Sequence, residues 1–425
     1  SYTYDDKYVL SGSIRWDRSN LWGTNSKYQN KPLWSVGGSW NIYKEKFFQA
    51  DFVDMLKLRA SYGIGGNIGR NTAPYLIASY YDSSLVDGMA GSVNTPPNKD
   101  IRWEKTTTVN VGVDFALFRH RLSGTIEYYN KYSVDLLAAI NGSPTQGFGY
   151  TTLMTNNGKM VNRGVEITLS GEIIRQKDFS WNASLLYAFN RNKVKHISVQ
   201  PSLWDSRISM PTSYPMVGKP LYGIYAYKWA GLNENGDPQV YDAENNVTSG
   251  PARDYHALVY CGTTVPIHNA SLTNVLRYKG LEFSAMLILD AGHKLRSSNI
   301  PSINMSNGRI TSTAKGIVDR WTQPGDVTDV PRLLFSNDTE NFNTHRTELY
   351  RYSDLFVYDA SNIRLSNISL AYRVPAHWCK KISLSGARLQ FNVENVATFA
   401  FDSKANYDLG GKVKPNYVWG LYLNF

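Results

Sequence analysis

The last nine residues of the chain alternate strictly between apolar and mainly small or polar side chains. Successive side chains of a β-strand point to opposite faces, so one face of this segment is entirely apolar and aromatic. The closing strand of an outer-membrane barrel shows such a face to lipid, whereas a soluble sandwich rarely ends on one. We therefore predict a membrane barrel whose terminal, barrel-assembly strand directs five residues outward: Tyr417, Trp419, Leu421, Leu423 and Phe425.

Composition is consistent with a barrel. The 425 residues include 29 Tyr and 11 Trp, and the mean hydropathy is −0.37. No stretch approaches the roughly 20 apolar residues of a membrane-spanning helix. Barrel strands carry apolar residues only at every second position, so a low mean hydropathy is compatible with outer-membrane localisation, with aromatic residues at the lipid interfaces and a polar lumen.

The charge pattern and the rarer residue types exclude several functions. The net charge is +10, but Lys and Arg are scattered, which argues against nucleic-acid binding. Two distant cysteines and seven dispersed histidines predict neither a disulfide framework nor a metal site, and no cofactor is expected. A calcium site at 233–237 is a minor alternative to a hairpin turn there, because the ligand set of a calcium loop is incomplete. Glu127 and Glu166 could form a glycosidase pair, but solvated residues of a lumen wall are favoured, and we expect no enzyme.

Twelve segments alternate with the period of a strand. The polar faces of several carry charges, such as Asp114 and Glu166, that a packed core would disfavour but a wet lumen would accept. The sequence therefore predicts an all-β fold, a transmembrane antiparallel β-barrel. The predicted strands are 8–17, 34–42, 56–63, 109–117, 122–129, 165–170, 181–190, 272–278, 281–289, 363–374, 382–393 and 417–425. Phase slips near 366–367 and 386–387 suggest facing bulges.

Long and short links between these strands alternate along the chain. Outer-membrane barrels have short periplasmic turns and long extracellular loops, whereas a soluble sandwich does not sort its links by length. We expect one barrel domain over 1–425, with extracellular loops at about 65–103, 137–161, 193–269 and 293–358. We also expect the chain to begin within a fold, at a strand end and turn over 1–7. Because an open sheet leaves backbone groups unpaired in lipid, we expect a larger barrel, completed by residues or a chain beyond these.

Six stretches, in order along nearly the whole chain, resemble the C-terminal part of SusC/RagA-type TonB-dependent transporters of Bacteroidetes. They are RASYG at 59–63, WEKTT at 103–107, NGKMVNRGVE at 157–166, GKPLYG at 218–223 with YKWAGL at 227–232, RW at 320–321 with PGD at 324–326, and DASNIRLSNISL at 359–370.

The resemblance implies about twelve C-terminal strands of a 22-stranded barrel whose plug domain lies outside this chain. It also implies a SusD-like surface lipoprotein acting as a lid, and import energised by TonB–ExbB–ExbD through an N-terminal part not present here. The substrate implied is an oligosaccharide or a peptide.

Aromatic residues in the long loops are candidates for contact with substrate or lid, since aromatic rings pack on the apolar faces of sugars. Packing within the loops is the competing interpretation for each of them. The candidates are Tyr80, Tyr81, Phe148, Tyr150, Trp204, Tyr214, Trp229 and Phe342.

Two other functions remain open from the sequence. A passive porin or adhesin barrel would have neither a plug nor a lid lipoprotein. A soluble all-β glycan-binding or hydrolytic protein would need no detergent, and the outward aromatic bands argue against it.

Overall fold

A thirteen-stranded antiparallel sheet dominates the computed structural model, and every strand pairs with its neighbours in chain order. The structure describes residues 1–17, 23–25, 28, 32–69, 74–85, 88–143, 145, 152–201, 205–250, 254–305, 313–335, 344–410 and 414–425. The strands β1 to β13 are, in order, Tyr2–Tyr4, Tyr8–Arg15, Leu33–Asn41, Val53–Asn67, Glu104–Leu117, Leu122–Asn141, Thr152–Arg175, Phe179–His196, His268–Tyr278, Leu281–Ala291, Asn362–Arg373, Gly386–Ala400 and Asn416–Asn424.

All twelve predicted strands are present, so the all-β prediction is confirmed. The additional strand, β1, forms a tight hairpin with β2, which agrees with the strand end and turn predicted over 1–7. Strands β6, β7 and β8 are much longer than their alternating stretches indicated.

The predicted loop at 137–161 is correspondingly too long. Strands β6 and β7 continue to pair as far as Asn141 and Thr152, and only 142–151 connects them. Two register shifts near Leu136 interrupt the ladder, and Asp135 has a φ of 56°. Each bulge reverses the face on which the next side chain lies, so the alternation is lost although the hydrogen bonding continues.

One of the two predicted bulge positions is correct and the other is wrong. The register between β11 and β12 shifts between Leu365 and Asn367, as expected. The facing irregularity lies near Asn395, where φ is 52°, and not at 386–387. The phase slip at 386–387 has a different cause: β12 begins there, and the residues before it form a turn after the helix Ala376–Lys380.

An apolar band crosses the outer face of the sheet from strand to strand. In the middle of the sheet, Val111 pairs with Tyr128, and both side chains are exposed. At the end of the sheet, β13 pairs with β12, and the five residues predicted to point outward are all exposed, with Trp419 at 78%. A continuous apolar face without a protein covering is what a lipid-facing wall requires.

The opposite face is polar and carries a cluster of one arginine and two carboxylates. Arg59 on β4 donates from Nε to both carboxylate oxygens of Asp114 on β5, at 3.0 and 3.1 Å, and from Nη2 to Glu127 on β6. A Cβ on Gly112 would lie 3.1 Å from the guanidinium carbon, so this glycine leaves room for it. Glu127 stands opposite Glu166 in register but is held by Arg59, as suits a wall residue.

Link lengths alternate along the chain as predicted, because each link at one end of the sheet is longer than the links before and after it. Consecutive links of an antiparallel sheet leave from opposite ends, so all long links gather at one end, called here the long-link end. The short links are 5–7, 42–52, 118–121, 176–178, 279–280 and 374–385; the long ones are 16–32, 68–103, 142–151, 197–267, 292–361 and 401–415.

The long links contain their own small elements. Five small sheets of short paired strands lie in these links. Four have two strands each: Ile77–Ser83 with Gly88–Thr95, Gly223–Tyr227 with Leu258–Thr263, Lys294–Arg296 with Val357–Asp359, and Asn304–Met305 with Leu334–Phe335. The fifth has three strands, Trp229–Leu232, Pro238–Tyr241 and Val247–Thr248, paired in that order. The α-helices are Ser206–Ser209, Thr344–Arg351, Ala376–Lys380 and Asn406–Leu409; 3-10 turns cover Ile42–Lys44, Tyr255–Ala257, Lys315–Asp319, Asp354–Phe356 and Ser403–Ala405. No helix in the described ranges is long and apolar enough to cross a membrane.

Links 197–267 and 292–361 fold together into a unit that we call the loop cluster. Its two hydrophobic cores share Trp229, which packs against both. The buried members are Tyr225, Tyr227, Val240, Ala257, Leu258 and Leu349 in one core and Ile303, Tyr350 and Phe356 in the other.

Candidate functional site: the loop cluster

A shared carboxylate joins the two halves of the loop cluster. Arg332 donates to both oxygens of Asp237, at 3.0 and 2.9 Å, and Arg346 donates from Nε to one of them at 2.8 Å. Arg346 is only 3% exposed, and burial lowers the pKa of its guanidinium although Asp237 opposes that effect. A buried cation needs such a partner, so Asp237 fixes link 292–361 to link 197–267.

The turn that presents Asp237 is the hairpin turn predicted at 233–238. The side-chain oxygen of Asn233 accepts from the backbone N–H of Asn235 and of Asp237, at 3.0 and 2.8 Å. Gly236 has a φ of +73°, and a Cβ there would lie 2.4 Å from the ring of Trp321. Since both carboxylate oxygens of Asp237 accept from arginines, this turn has an ion-pairing role. No group of three or more His, Cys, Asp or Glu that could hold a metal occurs within the described ranges.

Trp229 is a half-buried residue that packs against both cores of the loop cluster. Its indole N–H donates to Asp329 at 3.0 Å, and its backbone N–H donates to Asp354 at 2.9 Å. Its ring lies 5.9 Å from that of Tyr350. These contacts favour packing between links, the competing interpretation, over a freely presented ligand platform.

The other aromatic candidates divide into three groups. Tyr80 and Tyr81 lie on the strand Ile77–Ser83 and are both exposed. Tyr214 is 7% exposed, which favours the competing interpretation of packing within the loops; its contact role stays a prediction. The remaining candidates lie outside the described residues: Phe148, Tyr150, Trp204 and Phe342.

A short ladder ties the loop cluster to the barrel sheet. Lys294–Arg296 pairs with Val357–Asp359 directly beyond β10 and β11, and Lys294 Nζ lies 3.0 Å from Asp359. Burial raises the pKa of Asp359, but hydrogen bonds from Ser361 and the charge of Lys294 outweigh it and lower the pKa to about 2. The carboxylate is therefore ionised at neutral pH.

A cleft of about 890 Å³ with a mixed polar and apolar lining opens beside this ladder. Three cations line it: Arg296, Lys315 and Arg351, together with serine, threonine and tyrosine side chains. Tyr407, from link 401–415, contributes to its wall. The sequence did not reveal these residues as one group because they come from separate segments of the chain.

The sequence of the chain is similar to known receptors. Residues 1–396 match the profile of the family described as TonB dependent receptor-like, beta-barrel. TonB-dependent receptor P3 of Formosa agariphila is 26% identical over 449 aligned positions, covering 99% of this chain and 43% of the receptor. TonB-dependent receptor SusC of Bacteroides thetaiotaomicron is 25% identical, covering 93% of this chain and 39% of the receptor. The chain thus spans about two fifths of the length of these curated relatives.

The fold is similar to that of a solved structure titled as the RagAB peptide transporter. The TM-score is 0.80 at 23% sequence identity, covering 99% of this chain and 46% of that chain. At this identity the similarity establishes the fold alone.

Proposed function

The chain belongs to the TonB-dependent receptor-like β-barrel family, and on this premise we propose that it forms the C-terminal wall and loop platform of an energised outer-membrane importer. The family match over 1–396 carries the proposal. The apolar outer face and the polar inner face with its Arg59 cluster support a wall between lipid and an aqueous lumen.

In this proposal a SusD-like surface lipoprotein covers the long-link end. A lid that opens and closes needs a firm surface to rest on. The loop cluster supplies one, since its two hydrophobic cores and the Asp237 ion pairs hold two links of more than sixty residues together. The orientation of this end toward the extracellular side follows from the short-turn, long-loop asymmetry of outer-membrane barrels.

Import is energised by TonB–ExbB–ExbD, which acts through a plug in the N-terminal part of the whole transporter. The substrate is an oligosaccharide or a peptide, too large for a passive pore. The fold neighbour titled as a peptide transporter is consistent with the peptide class. The oligosaccharide class comes from the resemblance to SusC/RagA-type transporters.

The test starts with purification of the whole transporter from native outer membrane in mild detergent, followed by mass spectrometry of everything that copurifies. We expect a lipoprotein and a heavier chain that contains a plug. Uptake of labelled oligosaccharides and peptides is then measured in cells with and without TonB. Uptake that is independent of TonB, together with the absence of a lipoprotein, would favour a passive porin instead.

A further inference from the structure

The cleft beside the barrel ladder lies between link 292–361 and link 401–415, at the long-link end. Its floor is fixed by Asp408, which accepts hydrogen bonds from the hydroxyls of Ser297 and Ser298, at 2.8 and 2.6 Å. The backbone N–H of Ser298 donates to the same carboxylate at 3.0 Å. Hydrogen bonds between two different links therefore hold the walls of the cleft together.

Two arginines at this cleft flank one aromatic ring. The guanidinium carbon of Arg296 lies 5.6 Å from the ring centre of Tyr352, and that of Arg351 lies 6.0 Å from it. Like charges gathered around one ring disfavour each other, because their repulsion is only partly screened in a half-buried site. Lys315 adds a third positive charge to the lining.

The charge of Arg296 is solvated by neutral groups. It donates to the carbonyl oxygens of Arg351, Ser353 and Tyr225, at 3.1, 3.1 and 2.7 Å. Burial lowers the pKa of its guanidinium, and the charge of Arg351 acts in the same direction. Cys261, Tyr352 and Asp354 raise that pKa by smaller amounts than burial lowers it. In the part of the chain that the structure describes, neither arginine forms an ion pair with a carboxylate.

Two carboxylates lie near the cleft, and both keep their negative charge because the hydrogen bonds from Trp229, Ser297 and Ser298 come from neutral donors. Asp354 accepts from the backbone N–H of Trp229 at 2.9 Å, and Asp408 holds the two serines of the floor. The described lining contains no Asp or Glu. The lining itself thus carries three cations, hydroxyl donors and tyrosine rings, and the two nearby carboxylates offset only part of the positive charge. This combination suits an anionic ligand group with polar or apolar neighbours.

We propose that this cleft recognises a carboxylate of the imported substrate, with Arg351 and Lys315 as the exposed cations and Arg296 as the half-buried one. The inference rests on the proposed importer function and makes it more specific. Two sources supply this chemistry: the free C-terminus of a peptide or the uronate of an acidic oligosaccharide. The planar guanidinium of Arg351 suits a two-oxygen acceptor from either source.

Binding to the purified whole transporter with its lipoprotein tests the proposal, by calorimetry with four probes. A mixture of short peptides with free C-termini is compared with the same mixture amidated, and an oligogalacturonate is compared with its methyl ester. We expect one acidic probe to bind about tenfold or more tightly than its neutral counterpart, because charge-assisted hydrogen bonds are lost in the neutral form. The probe that binds identifies the source of the carboxylate.

The variant Arg351→Gln with Lys315→Gln removes the two exposed cations and replaces no buried member of the loop-cluster cores. It should weaken the acidic probe about tenfold or more and leave any binding of the neutral probe unchanged. The matched control, Lys380→Gln with Lys381→Gln, removes the same charge from exposed residues on a short link at the other end. It should bind like the wild type.

Acidic probes that bind no better than their neutral forms, or that bind equally to both double variants, would overturn the proposal. So would wild-type protein that binds neither acidic probe. The importer function would survive each of these results as long as TonB-dependent uptake persists. Loss of TonB-dependent uptake in the wild type would instead remove the premise.

Discussion

The barrel sheet and the loop cluster are built on opposite principles. The sheet holds its strands by backbone ladders and leaves large apolar side chains such as Val111 and Trp419 exposed. The loop cluster buries the aromatic side chains of Tyr225, Tyr227 and Tyr350 and a nearly inaccessible arginine, Arg346, within the chain itself. The sheet therefore depends on lipid to cover its apolar face, whereas the loop cluster buries its apolar side chains in its own cores.

This difference shows where specificity is built. Lipid accepts many apolar side chains of different shape, so the outer wall tolerates variation. A packed core with a buried ion cluster fixes the relative positions of its links much more narrowly. A cleft on such a unit can keep its geometry although it is made of links rather than regular strands.

The largest expected effect comes from removing the carboxylate at the centre of the loop cluster. Asp237→Ala leaves Arg346 buried without an anion, which should cost the loop cluster about 3–5 kcal/mol. We expect faster hydrogen exchange over 223–263 and 292–361 and unchanged exchange in β5 to β7. Glu244→Gln, at an exposed position of a neighbouring turn, is the control. Equal exchange in both variants would mean that the ion cluster does not join the two links.

A charge on the outer face tests the other half of the comparison. Val111→Arg should destabilise the barrel in lipid vesicles by about 2–4 kcal/mol, because the arginine would face the hydrocarbon. Thr168→Arg, on the exposed polar face of β7, should cost much less. Equilibrium unfolding by denaturant from vesicles measures both. Similar losses of unfolding free energy in the two variants would contradict the assignment of one face to lipid and of the other to water.

Gly236→Ala should loosen the loop cluster by a smaller amount, about 1–3 kcal/mol for the left-handed backbone with the contact to Trp321 in addition. Gly325→Ala separates the two causes, since Gly325 also has a positive φ of 98° but a Cβ added there would meet no atom within 4 Å. Hydrogen exchange of the loop cluster should increase more in the first variant. Equal increases would assign the whole effect to the backbone.

The smallest effect concerns the ladder between the two regions. The pKa of Asp359 is lowered from 3.8 to about 2 in the folded protein, so its stabilising contribution is present above pH 3.8 and is lost as the pH falls through about 2. Its side chain is 39% exposed, and solvent screening keeps the contribution small. Asp359→Asn should weaken exchange protection of 294–296 and 357–359 at neutral pH and differ little from the wild type near pH 2. A difference that is independent of pH would exclude this ionisation.

The barrel could be predicted from sequence because period-two alternation is a local signal. It located all twelve expected strands and the alternation of link lengths. It failed at 137–161, where bulges near Leu136 reverse the faces of a continuing ladder, and at 386–387, where a strand start imitates a bulge. In both places the hydrogen bonding is set by the neighbouring strand and not by the pattern of side chains.

The sequence predicted that the candidate site lies among the long links, but it did not predict which side chains are exposed there. Exposure of Tyr80 and Tyr81 agrees with a contact role, while Tyr214 is buried and Trp229 packs against both cores of the loop cluster. Their sequences carry no sign of this difference, because burial of a loop aromatic depends on what packs over it.

The sequence by itself determined the sheet, its two faces and the sorting of its links, since each strand records its surroundings in its own alternation. Tertiary structure alone decided that Asp237 meets Arg346, more than a hundred positions away, and that Arg296, Lys315 and Arg351 line one cleft. The physical reason is that links have no period: their side chains are placed by contacts between distant segments, and these contacts exist only after the chain has folded.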